Sequence, residues 1–273
     1  MRIGIVAIIS PLDLPYAREW LDYHFAIGAS DIWLFLNDWS EEQERDMDKI
    51  QTDFPNGLHL VRKFNGKVKQ LPAYNIGIQA ASCEGIDWCA FIDLDEFIKV
   101  RSNRRLADVL AEHSNINQLA VNWRLFGSNG LEDVEDIYDP DPLGITDKYN
   151  VLGRFPMCEG KLNKHVKQLV NLSFYRRGMI ELPTFINPHF TNGVSYNLEG
   201  SMFYGPFNVE KLDEVHEVEI SHYIVKSRQE CKLRREYRRA DTGGFRDEGW
   251  EGFFNAHDKN EVRGDSLFYS KNK

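Results

Sequence analysis

Trp88-Cys89-Ala90-Phe91-Ile92-Asp93-Leu94-Asp95-Glu96-Phe97 decides how the rest of the chain is read. An apolar run, bounded upstream by Gly85 and Asp87, ends in carboxylates interleaved with apolar side chains. The run has the character of a buried strand. Burying an unpaired carboxylate is costly, so Asp93 and Asp95 belong at the C-terminal end of that strand, where open α/β sheets bind ligands. Two residues apart, they point to one face of an extended segment. Such a pair repels unless a cation lies between its members. Hard oxygen ligands suit Mg²⁺ or Mn²⁺, ions that keep open positions for substrate phosphates. A solvated strand end carries similar letters. The apolar strand before the acids and Glu96-Phe97-Ile98 after them weigh toward the ion.

Working upstream, Ile3–Ile9 is a continuously apolar strand, as expected of one covered on both faces. A helix follows, with Pro15 in its first turn and Ala17, Leu21 and Phe25 at helical spacing. Ile32–Leu36 is a second strand, ending in Asn37-Asp38. Ser40-Glu41-Glu42-Gln43 is a capping box that opens another helix. Leu58–Arg62 is a third strand, and Gln70–Ser82 a helix. This alternation predicts a mostly parallel sheet with helices on both faces. Downstream, the pattern predicts a helix over Leu106–Ala111 and a strand over Gln118–Phe126. It places further strands over Val166–Tyr175, Leu182–Ile186 and Glu217–Val225. The stretch from Leu131 to about Asp147 is rich in acid and proline and reads as a long loop, functional or merely a surface excursion.

The 273 residues are 42% hydrophobic and 27% charged, as in an ordinary soluble protein, and suffice for one large domain or two small ones. A net charge of −9 argues against nucleic-acid binding. The four cysteines show no CxxC pair, which fits a reducing cytoplasm. The first apolar run is too short to span a bilayer and has no cleavage site. One segment departs from the acidic average. Ser227-Arg228-Gln229-Glu230 caps a helix reaching about Ala240. Lys226 to Arg239 holds seven Lys or Arg against Glu230 and Glu236, a local +5. Such segregation predicts an anionic partner, whether phosphates, an anionic glycolipid or the inner face of a membrane, or else a helix answering the chain's own acids.

Strand ends gather in space in such a sheet. His222, on the last predicted strand, can complete the coordination begun by Asp93 and Asp95. Lys226 lies just before a helix start, and helix N-termini bind phosphate. Together these make a cradle for a metal-bound pyrophosphate, hence for a nucleotide-activated substrate.

Seven pieces in order resemble the GT-A glycosyltransferases, specifically family 2-like and family 92-like bacterial enzymes. They are Arg18-Glu19-Trp20-Leu21-Asp22-Tyr23-His24, Asn37-Asp38, Gln70 with Ala73-Tyr74-Asn75, Asp93-Leu94-Asp95-Glu96-Phe97, Phe126-Gly127-Ser128-Asn129-Gly130, Lys167-Gln168-Leu169-Val170 and His222-Tyr223-Ile224-Val225-Lys226-Ser227. The resemblance implies a GT-A type, Rossmann-like three-layer α/β/α sandwich with a mostly parallel central sheet. It implies a single domain over 1–273, with a nucleotide-binding half (1–100) and an acceptor-binding half (101–273). It further implies a nucleotide-sugar donor, by preference UDP-linked, and a glycan or glycolipid acceptor of a surface polysaccharide. Asp93 and Asp95 would hold Mn²⁺ or Mg²⁺ on the donor diphosphate, and transfer would invert the anomeric carbon. Asp38, Gln70, Asn75, Asp93 and Lys226 would face the nucleotide. The chain departs from the family at Ser10-Pro11-Leu12-Asp13, where Lys-Asn-Glu is common. Inverting transfer needs a general base near the acceptor hydroxyl, for which Asp241, Glu96 and Glu132 are candidates. A competing assignment is a phosphohydrolase of the haloacid dehalogenase type, though its motif normally sits on the first strand. Another is a non-catalytic glycan-binding module.

Overall fold

The computed structural model describes residues 1–61, 69–101, 104–133, 164–210, 216–236, 244 and 249–260, with backbone alone at 151–152 and 262–263. Its strands are β1 (Ile3–Ile9), β2 (Asp31–Leu36), β3 (Leu58–Val61), β4 (Trp88–Phe91), β5 (Glu96–Val100), β6 (Gln118–Leu125), β7 (Val151–Leu152), β8 (Val166–Asn171), β9 (Phe185–Asn187), β10 (Phe190–Thr191), β11 (Ser195–Tyr196), β12 (Met202–Phe203), β13 (Val218–His222) and β14 (Val262–Arg263). Its helices are α1 (Leu14–Ala26), α2 (Glu41–Asp53), α3 (Gln70–Cys83), α4 (Leu106–Glu112), α5 (Leu172–Gly178), α6 (Arg228–Glu236) and α7 (Trp250–His257).

The fold is mixed α/β. Strands β12-β11-β6-β8-β4-β1-β2-β3 lie side by side, and β13 joins β5 to β6 in the same ten-stranded sheet. The β4-β1-β2-β3 portion is parallel throughout. β8 runs antiparallel between β4 and β6. Alternation along β1 separates two cores. Ile3, Ile5, Ala7 and Ile9 pack with Tyr16, Trp20, Met47 and Leu110 from α1, α2 and α4. Val6 and Ile8 pack with Ala73, Tyr74 and Ile78 of α3 and Tyr175 of α5. Three layers result, as expected from a sheet whose strands are apolar on both faces. The contact of α3 with β1 is close at Gly77, where a Cβ would come within 2.5 Å of Val6 Cγ1. The capping box at Ser40 is made, with Gln43 N–H donating to Ser40 Oγ at 3.3 Å.

Three elements differ from the pattern-based expectation. Asp93 and Asp95 do not lie on an extended strand. The Glu96 N–H donates to the Asp93 carbonyl at 3.0 Å, closing a tight turn between β4 and β5. β5 itself is absent from the sequence reading because its partner, β13, lies more than 110 residues downstream. The Val166–Tyr175 strand stops at Asn171, whose side chain caps α5 by accepting from Phe174 N–H at 3.0 Å. A short apolar run does not by itself distinguish helix from strand.

α1 fastens the site turn from below. Trp20 Nε1–H donates to the Glu96 carbonyl at 2.8 Å and Tyr23 O–H to the Ile98 carbonyl at 2.9 Å. Between them His24 is fully buried, its Nδ1–H donating to the Trp20 carbonyl at 2.8 Å. Burial pushes its pKa down to about 3. The unfolded chain, titrating near 6.5, takes up that proton first, so stability is full above about pH 6.5 and falls progressively toward pH 3. Urea unfolding at pH 7 and pH 5 should show a loss of about 2 kcal/mol over those two units from this group. His24→Phe should flatten that slope; an unchanged slope would show that the histidine is not the sensor.

Candidate active site at the end of the central strand

The turn Asp93–Glu96 brings its three carboxylates to different partners. Asp93 faces α3 and β8. Its Oδ1 accepts from Gln70 Nε2 at 2.8 Å and Tyr74 O–H at 3.1 Å, and its Oδ2 from Lys167 Nζ at 2.9 Å. The antiparallel register that pairs Ala90 with Leu169 carries Lys167 past the end of β4, directly beneath this turn. Lys167 is fully buried and also reaches Glu96 Oε2 at 3.3 Å. Burial works against its charge, but Asp93 and Glu96 outweigh burial and hold the ammonium well above its usual range.

Asp95 turns the other way. Its side chain is 3% exposed and receives Arg234 of α6 at 2.9 Å. Burial opposes its ionisation, yet Arg234, then His222, keep the carboxyl well below the usual carboxylate range. Its second oxygen, Oδ1, is buried with no hydrogen-bond partner among the described residues. That atom lies 3.7 Å from His222 Nε2. β13 places the imidazole there by pairing His222 with Glu96 on one side and Leu125 on the other. Glu96 has no exposed surface. It accepts from the Asp93 N–H at 2.9 Å, and its Oε1 lies 3.8 Å from His222 Nδ1. Burial, against the pull of Lys167, pushes Glu96 up to about 7.

A divalent cation fits the Asp95–His222 pair. Two metal–ligand bonds of about 2.1 Å span up to about 4.2 Å, so one ion reaches the orphaned Asp95 Oδ1 and the imidazole together. Mg²⁺ is ordinarily held by one or two carboxylates with substrate oxygens completing the shell; here the imidazole would be an added nitrogen ligand. Among the described residues no group of three or more His, Cys, Asp and Glu is placed to hold a metal. Asp93 would have to leave Lys167 to join.

The remaining candidates are distributed unevenly. Asp38, two residues past the end of β2, has a left-handed conformation (φ 60°) and is largely exposed, and its carboxylate is held by the buried Lys69. Gln70 serves Asp93. Asn75 is bound to the backbone of Phe185, accepting from its N–H at 2.8 Å, and so ties α3 to β9. Lys226 (φ 55°) is buried, 3.3 Å from Asp13 and 4.6 Å above the Tyr16 ring. The start of α6 is not an open anion site. Arg228 N–H and Gln229 N–H donate to the carbonyls of Leu131 and Glu132 at 3.1 and 3.0 Å, and Ser227 and Glu230 close the capping box. Glu132 pairs with Arg228 at 2.6 Å. Asp241 lies outside the described residues.

Most described cations of the basic segment meet partners within the chain, though Lys232 is exposed. Lys226 and Arg234 meet Asp13, Arg234 also meets Asp95, and Arg228 stacks over Phe254 with its centre 4.5 Å from the ring. Arg235 lies 3.5 Å above Phe253, and Lys232 is 6.0 Å from Trp250. These contacts answer part of the segment's charge with the chain's own acids and rings. No helix among the described residues is long and apolar enough to cross a membrane.

Sequence reading gave no role to Lys167, Arg234, Asp13 or Trp123. Lys167 carries a usable signal: a lone lysine inside Val166–Asn171, a strand otherwise free of charge, needs buried acids to meet it.

No family model matches the chain. Over 118 residues it is 27% identical to a curated rice (Oryza sativa subsp. japonica) protein, "Glycosyltransferase family 92 protein Os08g0121900". The chain is similar to a family 92 glycosyltransferase. The similarity covers 42% of this chain and 20% of the rice protein. Among solved structures, TarS of S. aureus in complex with UDP aligns at TM-score 0.40 and 11% identity, over 67% of this chain and 50% of that one. The mannosyltransferase PcManGT of Pyrobaculum calidifontis, in complex with GDP-Man and Mn²⁺, aligns at TM-score 0.41 and 13% identity, over 69% and 49%.

Proposed function

We propose that the protein is a metal-dependent glycosyltransferase that moves a sugar from a nucleotide-sugar donor to a saccharide acceptor. The observation that carries this is the ionised Asp95, whose Oδ1 has no hydrogen-bond partner among the described residues and faces His222, past the C-terminal end of β4, the edge where sheets of this kind bind ligands. The sequence similarity to a family 92 glycosyltransferase supports the reaction class.

Asp95 and His222 would hold the Mn²⁺ or Mg²⁺, which when bound offsets charge on the donor diphosphate. Arg234 keeps Asp95 ionised and fixed. Lys167 keeps Asp93 turned toward Gln70 and Tyr74, on the side of β2 and Asp38, where the nucleoside would lie. Asp38 is held by Lys69 in a backbone conformation that costs about 1–3 kcal/mol for a residue other than glycine, a kind of strain that gathers at binding sites. Glu96 has no surface to offer a substrate and acts on His222 and Lys167 instead. Inverting transfer assigns the base to a group on the acceptor side, Glu132 or Asp241.

A thermal-shift panel of UDP-, GDP-, CMP- and dTDP-sugars, each with and without Mn²⁺, tests the proposal. One nucleotide class should raise the melting temperature only with metal, by the amount that ligand binding adds to stability. Release of phosphate from simple esters, with no nucleotide response, would indicate a phosphohydrolase instead.

A further inference from the structure

Aromatic rings run in contact from the protein surface to the candidate metal site. Phe207, 41% exposed, meets His165 at 4.7 Å between ring centroids. His165 stacks on Trp123 at 4.9 Å, and Trp123 meets His222 edge-on at 4.2 Å. A second branch carries His189, 4.9 Å from Trp123, followed by Phe190, whose ring meets the exposed Tyr204 at 5.4 Å. Two polar atoms lie along this path. Trp123 is 7% exposed, and its Nε1–H is buried with no partner among the described residues. The Val166 carbonyl, 3.0 Å from His189 Nδ1, can only accept. Nδ1 therefore carries the proton and Nε2 is left as an acceptor. Burial, then the charge of Lys167, keeps this imidazole neutral.

The surrounding surface has an unusual composition. From 182 to 209 only Glu199 is charged, where the chain's 27% would give about eight in 28 residues. Glu199 is itself paired, with His216 at 3.1 Å. Its exposed large side chains are Tyr204 and Phe207 with Ile186, Val194, Met202 and Val209, while Asn197 and Asn208 are buried and bonded within the chain. Exposed ring faces without neighbouring charge suit a neutral polyol, whose C–H face packs on a ring while its hydroxyls both donate and accept. An anionic headgroup or nucleic acid would call for cations, and this stretch has none.

We infer that the ladder from Phe207 through His165 to Trp123, flanked by His189 and Tyr204, is a saccharide subsite that seats a neutral hexose unit next to the metal site. Naming that hexose the acceptor rests on the transferase function proposed above; the sugar subsite itself does not.

Saturation-transfer NMR with methyl β-glucoside, methyl β-galactoside and methyl α-mannoside, without nucleotide or metal, tests it. At least one should receive saturation at its ring C–H protons. Phe207→Ser, at an exposed position, should weaken that response roughly five- to tenfold, and Phe207→Tyr should restore it. The donor-induced thermal shift should be unchanged in both. Absence of saturation transfer in the wild type, or an equal response in Phe207→Ser, would overturn the subsite. So would Phe207-dependent binding to phosphatidylcholine vesicles with no sugar response, which would make this face a membrane contact. A sugar response without any nucleotide response leaves the subsite standing and removes the transferase.

Discussion

Lys167→Met should lower the unfolding free energy by about 3–5 kcal/mol, the range for removing one partner of a buried ion pair. The substitution keeps most of the side-chain volume, so cavity formation contributes little. What is lost is the only cation within 3.5 Å of both Asp93 and Glu96 among the described residues. Glu96 has no exposed surface and cannot turn to water. The cost comes from stranding charge, not from losing a favourable bond, and this makes a sharper prediction. Adding Glu96→Gln to Lys167→Met should recover more stability than Glu96→Gln does alone, because the second change removes the stranded group. Chemical denaturation of the two single variants and the double variant gives the coupling directly. A loss below 1 kcal/mol in Lys167→Met would mean that the lysine is not the counter-ion of this site.

Asp95→Asn should abolish the metal-dependent thermal shift and lower kcat/KM about 10²- to 10³-fold, comparable to removing a group that stabilises transition-state charge elsewhere. Asparagine fills the same space and can still accept from Arg234, which keeps Asp13 as a second partner at 3.3 Å. The fold should therefore survive, and far-ultraviolet circular dichroism should match the wild type. What the amide cannot supply is the anionic oxygen facing His222. Retention of the Mn²⁺-dependent shift in this variant would remove the cation from the Asp95–His222 pair. His222→Ala should weaken the same shift without stranding a charge, so the two variants together separate coordination from electrostatic support.

Much of the framework was legible before any coordinates. β1, β2, β4 and α1 to α3 announce themselves through continuous apolar runs, a proline in a first helical turn and capping residues, all local signals. β5 was not legible, because five residues after a tight turn become a strand only by pairing with β13. The site was legible in part for the same reason. Asp93, Asp95 and His222 stand out as types and positions, yet which faces which is set by register. The register of β8 sends Lys167 to Asp93, and that of β13 sends His222 to Asp95. In the basic segment the charge count carried no direction. Arg234 points at Asp13 and Asp95, while Arg228 and Arg235 lie on the rings of α7.

The place of β8 in the sheet has a consequence for assembly. It is the sixth strand of the principal run to be made but lies in its middle, between β4 and β6. Until residue 171 has been synthesised, β4 has an unsatisfied edge and the acids beyond it have no ammonium to meet. A fragment ending after β6 should therefore be unable to fold alone, however complete its first four strands look. Non-local pairing of this kind slows folding and leaves strand edges open to association. Expression as two pieces divided between β6 and β8 should yield soluble protein only when both are made together.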